Sequence, residues 1–124
     1  VTGVEVSSGA ISSAISAARH AGLSRSAASF IADDATAWAR AQSPEAVPDV
    51  IVVNPPRRGI GADLAAFLNE CDAPRVIYSS CNPASLATDL AAMPSLRAVE
   101  GRLFDMFPHT THAEVALLLE REGA

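Results

Sequence analysis

"LRAVEGRLFDMFPHTTHAEVALLL", residues 96–119, holds two apolar-rich runs and a short link. The runs 96–104 and 113–119 read as strands, and the link 105–112 contains Pro108. Parallel neighbours in a sheet need a crossover of about a dozen residues or more, usually a helix. The eight residues of this link cannot supply one, so the two strands must run antiparallel. This pair closes whatever sheet the rest of the chain builds.

Upstream, strand and helix signals alternate. Residues 1–6 ("VTGVEV") form a first strand. Ser7 or Ser8 caps a helix whose apolar residues Ile11, Ala14, Ile15 and Ala18 recur at helical spacing, and Gly22 stops it. Residues 27–32 are a second strand, weakened by alanine. Residues 34–42 are a short helix carrying Trp38, and 43–48, with two prolines, are a loop. The run 49–53 ("DVIVV") is the clearest strand, apolar on both faces. "NPPRRGIG" (54–61) is irregular, because its prolines remove donors and fix φ, while Gly59 and Gly61 give the backbone room to turn. A helix follows over 62–71, a strand over 75–79 and a helix over 83–92, with Pro83 at its start and Pro94 beyond its end. Continuous apolar strands alternating with helices predict an α/β fold with a mostly parallel sheet covered on both faces. A doubly wound sheet closed by an antiparallel pair resembles the plan of Rossmann-like methyltransferases. That is a likeness of fold and carries no chemistry by itself.

The 124 residues suit one domain, 1–124, with one core. Hydrophobic residues make up 49 % but aromatics only 5 %, so the core should be helix-rich and built of small residues. A net charge of −5 argues against this chain acting alone as an electrostatic binder of nucleic acid. No apolar run approaches the ~20 residues of a membrane-spanning helix, and no signal-peptide pattern opens the chain. Cys71 and Cys81, at unrelated positions, point to a reducing, cytoplasmic setting rather than a disulfide scaffold.

In open α/β sheets, ligands bind beyond the carboxyl ends of the strands. The groups at those ends are Glu5, Asp33, Asp34, Asn54 and Cys81, then His109, His112 and Glu114 around the last link. Glu5 suits ribose hydroxyls, or is an acid favoured by the dipole of the helix after it. Asp33 suits an adenine amino group, and Asp34 suits a helix cap. Asn54 offers a donor and an acceptor on a rigid loop, although Asn-Pro is also an ordinary turn. In amino-group methyltransferases an aromatic follows the prolines of a similar loop. Arg57 follows here, with Arg58 behind it, and these either face phosphate or are solvated. His109 and His112 match no common zinc spacing, so no metal is expected. Cys71, late in an amphipathic helix, reads as an inert buried thiol. Cys81 stands between Ser80 and Asn82, just before a helix start where an anion is favoured. With a carboxylate at the entry of a neighbouring strand, it suits a nucleophile and base working together.

"NPPRRGIG", "YSSCNPASLATDL" and "DMFPHTTHAEVALLL", in that order and spacing, resemble the RNA uracil-C5 methyltransferases. These are S-adenosylmethionine-dependent enzymes that form 5-methyluridine in 23S rRNA and in tRNA. Asparagine before Pro-Pro is the form carried by the 23S rRNA branch. By that resemblance Cys81 is the nucleophile and Glu114 the base that removes the C5 proton. Glu5 and Asn54 match ligands of S-adenosylmethionine, and Asp33 joins that cofactor set from its own strand-end position. The implied partner is RNA, 23S rRNA rather than tRNA, with the target base drawn out of its stack. The family's first strand, its glycine-rich loop and a glutamine ligand would precede residue 1. The resemblance therefore implies a C-terminal catalytic part of a longer enzyme, with an incomplete cofactor site and little turnover from these residues alone. In the family's sheet the absent strand lies between the 1–6 and 49–53 strands. Direct pairing or a second copy would fill the gap, so a homo-oligomer of the isolated chain is one expectation.

Overall fold

The computed structural model describes residues 1–106, 109 and 112–123. The chain forms two compact units, Val1–Ala41 and Gln42–Ala124, each with its own sheet.

In the first unit β1 (Thr2–Glu5) and β2 (Ser29–Ala32) pair in parallel, with Glu5 beside Ala32. Their crossover helix is α1 (Ser8–His20), and the Ser7 hydroxyl caps it by accepting the Ala10 amide at 3.2 Å. Gly22, at φ 77°, ends it. The Leu23 amide returns to the Ala18 carbonyl and the Gly22 amide to that of Arg19, the paired bonds of a Schellman turn. The second helix, α2 (Ala35–Arg40), starts at Asp34, whose carboxylate accepts the Ala37 amide at 2.8 Å. Of the two adjacent acids, Asp34 is therefore the cap.

The second unit runs β3 (Val50–Val53), α3 (Ala62–Glu70), β4 (Arg75–Ser80), α4 (Pro83–Ala91), β5 (Leu96–Phe104) and β6 (Glu114–Arg121). Its sheet order is β3-β4-β6-β5. Strands β3 and β4 are parallel, and β6 is antiparallel to both of its neighbours. The last two strands thus pair as the length of their link requires, with β6 inserted beside β4. Pro108, within that link, lies outside the described residues.

The core gathers Ala65 and Leu68 of α3, Leu86 of α4, Val76 and Tyr78 of β4, and Leu119 of β6. Ile51 and Val53 pack against it, whereas Val50, Val52 and Ile77 on the alternate face are exposed, Val52 by 66 %. Within this unit the helices cover one face of the sheet, not both as the apolar strands predicted. The cause is topological. The steps from β3 to β4 and from β4 to β5 run the same way along the sheet, and right-handed crossovers then place both helices on one side.

A buried polar contact ties α4 to the loop before α3. Asp89 is only 5 % exposed, and its Oδ2 accepts the Tyr78 hydroxyl and, at 2.9 Å, the Ile60 amide. Burial, followed by the bond to Asp89 and its charge, pushes the Tyr78 hydroxyl up, so it stays a donor. Gly59 makes the close approach possible: its φ is +85°, and a Cβ there would lie 2.4 Å from Asp89 Oδ2. Asp89→Ala removes the acceptor from the buried Tyr78 hydroxyl and releases the Ile60 amide. A loss of about 1–3 kcal/mol per stranded group is expected, read as a fall in the urea midpoint. An unchanged midpoint would show that solvent reaches both donors.

Candidate active site

The carboxyl end of β4 leads into Cys81. Ser80 folds the chain around Cys81: its hydroxyl donates to the Asn82 carbonyl and accepts the Asn82 amide, both at 3.0 Å. Asn82 then caps α4 by accepting the Ala84 amide at 3.2 Å, and Pro83 occupies the first turn. Cys81 sits half-buried immediately before that cap.

Loop 54–61 is pinned beside it. The Arg57 carbonyl accepts the Asn82 Nδ2 at 2.9 Å and the Ser85 hydroxyl at 2.7 Å. A turn closes from the Gly59 amide to the Pro56 carbonyl at 2.9 Å, and Gly61, at φ 83°, begins α3. The Arg57 and Arg58 side chains are exposed.

Strand register brings three polar side chains together. Val53 lies beside Tyr78, so Asn54, one step on, falls beside Ser79. Ser79 lies opposite Ala116, two residues from Glu114 and on the same face of β6. The Ser79 hydroxyl donates to Glu114 Oε1 at 2.7 Å. The Asn54 amide nitrogen, turned as its neighbours require, donates to the same Oε1 at 3.3 Å and to the Ser79 carbonyl at 3.1 Å. The last paired position is Ser80 with Val115; Cys81 is the next residue after Ser80, and Glu114 the one before Val115. The Ser79 hydroxyl, the Glu114 carboxylate and the Asn54 amide therefore meet on the sheet face away from α3 and α4, at the same carboxyl-end edge that Cys81 follows.

In the first unit Glu5 ends β1 and Asp33 follows the end of β2. Glu5 Oε1 accepts the Ser7 amide at 3.2 Å, and Asp33 Oδ1 accepts the Asp34 amide at 2.7 Å. Each carboxylate has about four acceptor positions, so further donors can be taken up. His109 and His112 are exposed, His109 at φ 64°. Among the described residues no group of three or more His, Cys, Asp or Glu is placed to hold a metal ion. Cys71 is 1 % exposed, with its thiol on the Leu68 carbonyl at 3.7 Å. No helix of the described residues is long and apolar enough to cross a membrane.

Sequence reasoning did not single out Ser79, Tyr78 or Asp89. Asp89 carried a readable signal, a carboxylate on the helical stripe of Leu86, Leu90 and Met93. Ser79 carried a weaker one, the alternation that sets it with Ile77 and against Val76, Tyr78 and Ser80.

A parallel sheet with an inserted antiparallel last strand, and with polar groups collected at the strand ends, defines a Rossmann-like methyltransferase fold. The profile of the tRNA (uracil-5-)-methyltransferases matches residues 45–122, and the chain belongs to that family. It is 48 % identical, over all 124 residues, to a 23S rRNA (uracil(747)-C(5))-methyltransferase RlmC of Edwardsiella ictaluri, covering 32 % of that protein. It is 49 % identical over 122 residues to the RlmC of Halothiobacillus neapolitanus, again covering 32 % of it. The chain thus spans about a third of the length of these relatives. Among solved structures, the Pyrococcus abyssi tRNA (uracil-54, C5)-methyltransferase in complex with S-adenosyl-L-homocysteine superposes with a TM-score of 0.82 at 30 % identity. That match covers 96 % of this chain and 28 % of the other. TrmN of Thermus thermophilus, at 23 % identity and a TM-score of 0.66, shares the fold, with 98 % of this chain and 36 % of that one covered.

Proposed function

We propose that this chain is the C-terminal catalytic part of an S-adenosylmethionine-dependent RNA uracil-C5 methyltransferase acting on 23S rRNA, with Cys81 as nucleophile and Glu114 as base. The observation that carries the reading is the edge at which Glu114, held by Ser79, opens β6 beside the carboxyl end of β4, with Cys81 the next residue after β4. Uracil C5 is too poor a nucleophile to take a methyl group unaided. The Cys81 thiolate adds to C6, forming an S–C6 bond and driving the C5–C6 electron pair into an enolate. S-adenosylmethionine, when bound, supplies the methyl group that C5 takes. Glu114 then removes the C5 proton, the C5–C6 double bond re-forms, and the S–C6 bond breaks to release Cys81.

The residues present suit that cofactor in part. Glu5 and Asp33 offer carboxylate acceptors for ribose hydroxyls and an adenine amino group. The Asn54 Nδ2 is committed to Glu114 and Ser79, so Asn54 would meet the cofactor through Oδ1. The preference for 23S rRNA over tRNA rests on relatives named for 23S rRNA at 48 % and 49 % identity, against 30 % for the tRNA enzyme.

The test uses the protein encoded by the complete reading frame, S-adenosylmethionine, and transcripts labelled with tritium at uracil C5. Tritium release should accompany 5-methyluridine formation in a 23S rRNA fragment and not in tRNA. Release from tRNA alone would reverse the substrate assignment, and release from neither would remove the activity.

A further inference from the structure

We infer that Ser79, seconded by Asn54, is the positioning residue for the Glu114 carboxylate, an inference that rests on the reading of Glu114 as the base. A glutamate side chain has several rotamers, and its carboxylate turns readily about the last bond. Here one oxygen is held. Glu114 Oε1 accepts the Ser79 hydroxyl at 2.7 Å from β4 and the Asn54 amide at 3.3 Å from the end of β3. The other Asn54 amide hydrogen goes to the Ser79 carbonyl at 3.1 Å, so the backbone of β4 orients the amide as well. Three adjacent strands therefore converge on one carboxylate oxygen. With Oε1 engaged, Oε2 is the oxygen left to receive a proton, on the edge that Cys81 shares. Ser79 is the better-placed donor: it is half-buried, in regular strand, and makes the shorter bond. Its hydroxyl has no part in forming the S–C6 bond between Cys81 and uracil, so its role is confined to proton removal.

The test compares Ser79→Ala, Ser79→Thr and Glu114→Gln in the protein from the complete reading frame. With RNA carrying 5-fluorouracil at the target, where proton removal from C5 is impossible, Ser79→Ala should form the Cys81 adduct in unchanged yield, which also reports that it is folded. With ordinary RNA its kcat should fall about 10–100-fold, the scale of a misplaced catalytic group, with KM falling alongside it, kcat/KM nearly unchanged and the methylated covalent intermediate accumulating. Ser79→Thr, which keeps the hydroxyl, should recover most of the rate. In a Glu114→Gln background Ser79→Ala should add no further loss, since the group it positions is gone. Unchanged turnover in Ser79→Ala, adduct yield falling together with turnover, or losses that add with Glu114→Gln would each overturn the assignment. If Glu114→Gln alone keeps full turnover, the base reading fails instead, whatever Ser79→Ala does.

Discussion

Cys81→Ala should abolish covalent capture of RNA carrying 5-fluorouracil at the target, and Cys71→Ala should leave capture intact. Fluorine at C5 cannot leave as a proton does, so the adduct formed by S–C6 addition and methyl transfer has no exit. The trap therefore reports the nucleophile directly, provided the protein from the complete reading frame is used. The two thiols are well separated in place. Cys71 is 1 % exposed and precedes β4, whereas Cys81 is half-buried and follows it. The six residues of β4 between them span roughly 20 Å of strand. On ordinary RNA, Cys81→Ala should lose about 10⁴-fold or more in turnover, the scale seen when a covalent nucleophile is removed. Mass spectrometry of the trapped complex should place the nucleotide on the peptide containing Cys81. A trapped complex that persists in Cys81→Ala would assign the bond to another residue.

What could be read from the sequence depended on how local its physical cause was. The antiparallel last pair followed from the length of link 105–112 alone, and β5 and β6 pair that way. The covering of β3 did not. "DVIVV" has the same apolar pattern whether one face or both are packed, and the answer depends on which way two crossovers step along the sheet. Cys81 and Glu114 stood out because a polar or reactive group interrupts an apolar pattern at a strand boundary. Ser79 did so only weakly, through its alternation with Tyr78 and Ser80, because a serine within a strand otherwise has no local peculiarity. Its meaning comes from a partner 35 residues away, reached only through the register of β4 on β6. Arg57 adds a contact that its residue type does not announce: its backbone carbonyl anchors the loop to Asn82 and Ser85, while its side chain is exposed.

Glu114→Gln should stop the reaction after the methyl group has arrived. Glutamine keeps the length and shape of glutamate and retains a carbonyl oxygen to accept the Ser79 hydroxyl and the Asn54 amide, so the local network should survive. It cannot accept the C5 proton. Addition of Cys81 and methylation of C5 do not need that base, because the electron pair comes from the thiolate through the enolate. Elimination does need it, since the S–C6 bond breaks only as the C5 proton departs. A single round with S-adenosylmethionine labelled in the methyl group should therefore leave the label on a protein–RNA complex that survives denaturation. Steady turnover should fall about 10²–10⁴-fold, the usual contribution of general acid–base catalysis. Cys81→Ala combined with Glu114→Gln should hold no label at all, because no adduct forms. If Glu114→Gln turns over at the parental rate with no labelled complex, proton removal belongs to another group, and the network at Glu114 Oε1 serves the join of β3, β4 and β6 rather than the chemistry.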